Sequence, residues 1–378
     1  MNSERGHLHM KKGTLKKILT GLLFTVGCFA LGYLLGHFLA SDLKTDIPWL
    51  LFAFFGVLAL FLQIVIHEAG HLVFGLLTGY GFLSFRIFGL VLQKTGGSFS
   101  LRRYKLAGTA GQCLLVPPDN SEDYPYFLYN IGGVLFNLIS ALLFLPLYYL
   151  CRGRTAAVLF LLLCAFGLLG AAVNGIPVET QFVANDGANI RMLRRNAAAR
   201  KAMWLQLEIN RRQTEGERLR DMPETLFALP EGANLHVPLI SSILALDESR
   251  YMDRHEFDKA RERIDLLLSD ECSIIGLYAP LLTADRVYIE LLQRGSEADI
   301  SALHEKSTAA MLRKMKEQPM IIRTQYAEAL LKERDRKKAD KYKRFFEKTA
   351  KSYPIAADLS CEAELMALAD EAFAAQDP

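Results

Sequence analysis

The side chains best able to do chemistry in this chain lie close together, in Ile66-His67-Glu68-Ala69-Gly70-His71-Leu72. On a helix, positions four apart share a face, so both imidazoles can reach one metal ion while Glu68 points beside it toward a water. Two histidine nitrogens and a third protein ligand suit zinc, with a fourth position left open. An ion held in this way lowers the pKa of its water to about 7, and Glu68 is placed to take the proton. An H-E-x-x-H pattern also arises by chance, and a single helical histidine is more often structural. The surroundings shift that balance, because the run is otherwise Leu, Phe, Val and Ile, and an acid at mid-membrane costs roughly 3 kcal/mol. Three such residues in one apolar segment call for a function.

The helix carrying them is one of four apolar stretches, near 15–40, 47–78, 125–150 and 155–176. Each has the roughly 20 residues needed to cross a hydrocarbon layer of ~30 Å. Lys11, Lys12, Lys16 and Lys17 precede the first stretch as they would a secretory signal. That stretch is too long for a signal core and lacks a small-x-small cleavage site, so it is expected to be retained as a span. Basic residues put the leading tail, the loop with Arg86, Lys94, Arg102, Arg103 and Lys105, and the segment after the fourth stretch on one side. By the positive-inside rule that side is the cytoplasm, although Arg152 and Arg154 vote the other way. The expectation is a multi-pass cell-membrane protein with both termini cytoplasmic.

Between the second and third stretches, Phe82 to Leu92 and Ser98 to Leu106 flank Lys94-Thr95-Gly96-Gly97 and predict a β-hairpin. Gly108, Gly111, Pro117 and Pro118 then predict irregular backbone at or dipping into the membrane surface. Composition changes near residue 185, where charged residues begin to recur every few positions. Amphipathic helices are predicted over Arg191 to Arg220, Leu239 to Leu268, Ile274 to Arg294, Ile300 to Met315 and Thr324 to Ser352. Their pairing is loosely like tetratricopeptide repeats, with only scattered positions such as Tyr251 and Ala260 fitting.

The fold class that follows is an α-helical polytopic membrane protein of about four spans with a small membrane-associated β-hairpin, and an all-α cytoplasmic C-terminal domain. Residues 1–188 form the membrane-embedded domain and 189–378 the helical domain. A net charge of +3, with basic residues at the ends of apolar stretches, argues against nucleic acid as a partner. The six cysteines, Cys28, Cys113, Cys151, Cys164, Cys272 and Cys361, form no C-x-x-C pair and suggest neither a disulfide framework nor a cysteine zinc site.

An H-E-x-x-H inside a membrane helix resembles the signature of the site-2 protease family of intramembrane zinc metalloproteases, peptidase family M50. The resemblance covers roughly Ile64 to Asn189. Gly133-Val134-Leu135-Phe136-Asn137 resembles the family's G-P-x-x-N segment, with Val in place of Pro; Gly and Asn there would allow close helix approach and an interhelical hydrogen bond. Asn174-Gly175-Ile176-Pro177 followed by Asp186-Gly187 resembles N-x-x-P-x-x-x-x-D-G, with about four more residues between Pro and Asp. The resemblance implies one zinc ion per chain held by His67, His71 and Asp186, with Glu68 as general base. It also implies that Asn174 steadies the oxyanion or the substrate backbone; otherwise Asn174 is a helix C-terminal residue. Glu179, Asp119, Glu122 and Asp123 are rival third ligands, and Asp186 has an alternative role as N-cap of a helix starting near Ala188. The sheet element beside the site would present an unwound substrate segment by strand pairing.

The expected activity is therefore hydrolysis of peptide bonds in membrane-spanning or membrane-associated peptides within the lipid bilayer, with the helical domain free to bind a protein partner. A catalytically inactive scaffold or chaperone with a structural metal site is the competing class. A transporter is weaker, because the spans show no inverted repeat or paired broken helices.

Overall fold

The computed structural model describes residues 47–104, 109–119, 123–178, 184–229, 233–295, 300, 301, 303 and 315–375. The first expected span lies outside the described residues. The other three are present as α1 (Trp49–Leu77), α2 (Tyr126–Leu150) and α3 (Thr155–Gly175), each long and apolar enough to cross a membrane. α1 has 29 residues, about 44 Å of helix, more than the hydrocarbon thickness requires. It keeps Trp49, Phe54, Val57 and Leu60 exposed, as a lipid-facing surface would be.

The segment between α1 and α2 is more regular than expected. It forms a four-stranded antiparallel sheet, order β3-β2-β1-β4, from β1 (Gly81–Ile87), β2 (Leu90–Thr95), β3 (Ser98–Arg103) and β4 (Gly111–Val116). The Gly96-Gly97 turn is where the spacing put it, with both residues at positive φ, 55° and 84°. Two-residue hairpin turns need that geometry, which glycine adopts without steric cost. The stretch 82–92 is not one strand, because it reverses at Phe88, whose φ of 53° closes a second tight turn. Of the segment expected to be irregular, Gly111 instead opens β4, paired with β1 from Gly81↔Val116 to Ile87↔Gly111; Pro117 and Pro118 follow without regular structure, and Gly108 lies outside the described residues. Pairing along a whole neighbouring strand outweighed the weak strand propensity of one glycine.

Beyond α3, α4 (Asp186–Arg195) and α5 (Ala197–Thr214) divide the helix expected over 191–220, because Asn196 leaves helical geometry and caps α5 by accepting from the Ala199 amide. α6 (Pro238–Asp253) and α7 (Phe257–Leu267) divide 239–268 at His255, φ 59°. After α8 (Tyr278–Leu292), α9 (Pro319–Ala327) runs through a wide turn, Glu328–Lys332, to Arg334 at φ 53°; α10 (Arg336–Ala350) then follows. α11 (Ala356–Ala374) was not expected from the sequence.

The chain divides into two compact units: residues up to His67 with Gly133–Val173, and Glu68–Gly132 with Asn174–Pro378. In the first, Ala59, Val158, Leu162 and Leu163 form an apolar core. Beside it Gln63 donates to the Leu163 carbonyl, 2.8 Å, and bonds Ser140. In the second, the helices α6–α11 share one core around Ile264, Tyr288, Ile322 and Leu365. A wholly buried Arg323 there pairs with Asp285 and Glu362 and lies over the Tyr288 ring. The sheet belongs to this unit and is tied to the connection between α10 and α11: the Arg103 amide donates to the Ser352 carbonyl, 3.1 Å, and the Gln93 side chain to the Pro354 carbonyl, 3.2 Å.

Candidate metal centre

His67, Glu68 and His71 all stand on α1, which runs without interruption through the boundary between the units. The two histidines are one turn apart on the same face, as their spacing requires. Each has one ring nitrogen committed. His71 Nδ1 is 2.8 Å from the backbone carbonyl of Tyr129, a group that can only accept, so Nδ1 carries the proton. His67 Nδ1 is 2.7 Å from Asn137 Oδ1. The Asn137 amide nitrogen is turned to the Gln63 carbonyl, 3.2 Å, and to Gln63 Oε1, 2.8 Å, which leaves Oδ1 as the acceptor for His67. Both imidazoles are thereby held in the tautomer whose Nε2 offers a lone pair. Such hydrogen bonds to the far nitrogen orient a ligating histidine and raise its basicity.

Asp186 is the first residue of α4. The capping role belongs to its neighbour, contrary to the alternative considered for Asp186 from sequence: Asn185 Oδ1 accepts from the Ala188 amide at 2.9 Å. Asn185 also accepts from the Val178 amide, 3.2 Å, and donates to the Ile176 carbonyl, 2.7 Å, so one side chain ties the chain after α3 to the start of α4. The Asp186 carboxylate lies beside His71 instead. Its Oδ2 lies 3.5 Å from His71 Nε2. Two ligands on one tetrahedral zinc, with bonds of roughly 2.0–2.1 Å, stand about 3.3 Å apart. His67, His71 and Asp186 each offer a ligand atom, and these atoms lie within 4.8 Å of one another. The donor set of two imidazole nitrogens and one carboxylate oxygen fits zinc.

Among the described residues this is the group able to hold a metal, and Asp119 and Asp123 are not part of it. Glu122 and Glu179 lie outside the described residues. Asn174 is in the last turn of α3, next to Gly175. A Cβ on Gly187 would come within 2.8 Å of the Gly175 carbonyl carbon, so Gly187 lets the start of α4 close against the end of the span.

Glu68 is buried, and β4 runs directly beside it: a Cβ on Gly111 would lie 2.7 Å from the Glu68 carboxyl carbon. Two devices hold the strand there. Tyr129, whose carbonyl orients His71, donates its hydroxyl to the Cys113 carbonyl at 2.8 Å. Arg86, 2% exposed, reaches from β1 to the carbonyls of Phe88, Thr109 and Gly111. Arg86 is thus a buried clamp on the segment facing Glu68 and not a solvated topology charge. Gly132, one residue before the glycine of the expected motif, allows α2 to approach α1; a Cβ there would meet the Gly70 carbonyl carbon at 2.8 Å.

Sequence reasoning missed Gln63, Tyr129, Asn185 and Arg86. Only Gln63 left a local signal, being a polar residue one turn before His67 on the same helix face. Compared with protein-family models, with curated proteins and with solved structures, the chain matches none.

Proposed function

We propose that this chain is a multi-pass membrane zinc metalloprotease of the site-2 protease type, hydrolysing peptide bonds of membrane-spanning or membrane-associated substrates, with both termini cytoplasmic. The observation that carries this reading is the convergence of His67, His71 and Asp186, with both histidines bonded through Nδ1 and the buried Glu68 carboxylate on the same helix. Three protein ligands among the described residues leave one coordination position open, which favours catalysis over a structural site. When bound, zinc supplies a Lewis acid that acidifies water and polarises a carbonyl.

The remaining steps belong to the chain. Glu68 accepts a proton from the attacking water and returns it to the leaving amide nitrogen as the peptide C–N bond breaks. Asn137 and Tyr129 fix the imidazole orientations throughout. β4 is an outer strand of the sheet beside Glu68, and an extended peptide would pair with those backbone groups of its edge that Tyr129 and Arg86 do not occupy. An extended substrate is required because a helical one has its carbonyls already bonded.

The test is zinc content per chain in detergent-purified protein, with cleavage of a fluorogenic single-span peptide measured in parallel. Wild type is expected to hold about one zinc. His67→Ala and His71→Ala are expected to lose metal and cleavage, Asp186→Ala to bind weakly, and Glu68→Gln to keep the metal without cleaving. A folded wild type that takes up no zinc, or a Glu68→Gln that still cleaves, would refute the assignment.

A further inference from the structure

A cavity of about 600 Å³ lies against α4, with Gly187, Gly175 and Pro177 in its lining. It is formed within a single unit of the chain. Its floor is apolar, from Phe127 and Ile131 in the first turns of α2 and Ile190 of α4, and its rim is Arg191, Arg194 and Arg195. Positions 191, 194 and 195 share a helix face by their i, i+3 and i+4 spacing. None of the three arginines has an ion-pair partner among the described residues, and all three are exposed. Elsewhere in this unit, arginines such as Arg211, Arg218 and Arg323 are matched with carboxylates. Three exposed guanidinium groups on one helix face therefore stand together over an apolar floor.

The position of the cavity narrows what fills it. It opens where α2 begins and α3 ends, the termini of two helices apolar enough to cross a membrane. An occupant needs an anionic head for the arginines and hydrocarbon for Phe127, Ile131 and Ile190. Guanidinium groups recognise phosphate oxygens in pairs, and basic pockets between membrane helices accept phospholipid heads. We infer that this cavity is a binding site for one anionic phospholipid, its phosphate held by Arg191, Arg194 and Arg195 and its acyl chain lying against Phe127, Ile131 and Ile190. A lipid there would brace the helix that begins with Asp186.

The full chain in a neutral detergent would be titrated with phosphatidylglycerol, and with phosphatidylcholine for comparison, counting bound lipid by native mass spectrometry. Tight binding of one phosphatidylglycerol in preference to phosphatidylcholine is expected. Arg191→Gln with Arg194→Gln should weaken it roughly thirtyfold, given the usual contribution of each basic residue near an anionic surface. Arg152→Gln with Arg154→Gln removes the same charge at the opposite ends of α2 and α3 and should leave binding unchanged. Equal weakening by both double variants, equal affinity for the two lipids, or displacement by millimolar inorganic phosphate would overturn the inference. The unaltered chain supplies an independent measurement that does not depend on either variant folding. Phosphatidylglycerol with a photoreactive headgroup should crosslink to peptides containing 127–131 or 190–195, and crosslinks only elsewhere would overturn the site. These readouts are separate from zinc content, so failure of the lipid site leaves the metal assignment standing.

Discussion

Replacing Asn137 by alanine should weaken zinc binding without touching a ligand. Asn137 is 1% exposed and makes three contacts: Oδ1 to His67 Nδ1 at 2.7 Å, and Nδ2 to the carbonyl and Oε1 of Gln63. Only the first bears on the metal. Its loss frees the imbalance that keeps the Nδ1 proton in place, so His67 is free to rotate and to exchange tautomers. Removing a partner of this kind costs a ligating histidine about 10- to 100-fold in metal affinity, or roughly 1.4–2.7 kcal/mol. The two Gln63 contacts contribute to folding, and losing them leaves a buried amide short of a partner at about 1–3 kcal/mol. Ser140→Ala separates the two effects, because Ser140 bonds Gln63 and the Asn137 carbonyl but not His67. Competition against a chromophoric zinc chelator in detergent, with thermal unfolding alongside, reads both quantities. Asn137→Ala should fall in affinity and stability, Ser140→Ala in stability alone, and Asn137→Asp should keep most of the affinity because it preserves the acceptor. Unchanged zinc affinity in Asn137→Ala, or an equal loss in Ser140→Ala, would refute the role assigned to Asn137.

Gly111→Ala should spare zinc and impair cleavage: ordinary contact begins near 3.4 Å and the new Cβ would sit 2.7 Å from the Glu68 carboxyl carbon, so the carboxylate must shift by about 1 Å. Displacement of that size costs roughly 100-fold in turnover, and full activity of Gly111→Ala on a single-span peptide would contradict the placement of Glu68 against β4. Asn185→Ala removes the cap of α4 and its ties to Ile176 and Val178, so stability should fall by about 1 kcal/mol and zinc affinity with it, as measured by unfolding and chelator competition. Asp358 in α11 lies deep among protein atoms although part of its surface reaches water; burial, then the nearby Glu362 charge, push its carboxyl up to about 7, against the hydrogen bonds from Tyr353 and Gln213. Because the folded value lies above the unfolded one, the stability it contributes is complete below about pH 4 and is lost as pH rises to about 7, at up to about 1.4 kcal/mol per pH unit. Asp358→Asn should flatten that part of the pH–stability curve, and an unaltered curve would show that the group does not titrate there.

The histidines were legible in the sequence because a helix fixes the relation of residues four apart whatever surrounds it, and an apolar run makes ionisable groups conspicuous. The same local rule located three of the described helices and the Gly96-Gly97 turn. Where a local rule competed with pairing, it failed: Gly111 became a strand residue because β1 supplied a partner; the expected helix over 191–220 split at Asn196 through a local cap that went unread. The resemblance led to Asp186 across a spacing longer than the family's, but only the fold could bring it near His71, since Asn185 ties the start of α4 back to Ile176 and Val178 beyond the end of α3. The partners Asn137, Tyr129 and Arg86 are separated from the residues they serve by tens of positions, and each serves the site through a hydrogen bond that depends on three-dimensional direction. The sequence by itself determined that His67 and His71 could share a metal and that they lie in an apolar helix. The tertiary structure decided which nitrogen each histidine presents and which strand faces Glu68, because hydrogen-bond direction and close backbone approach exist only once distant segments have packed.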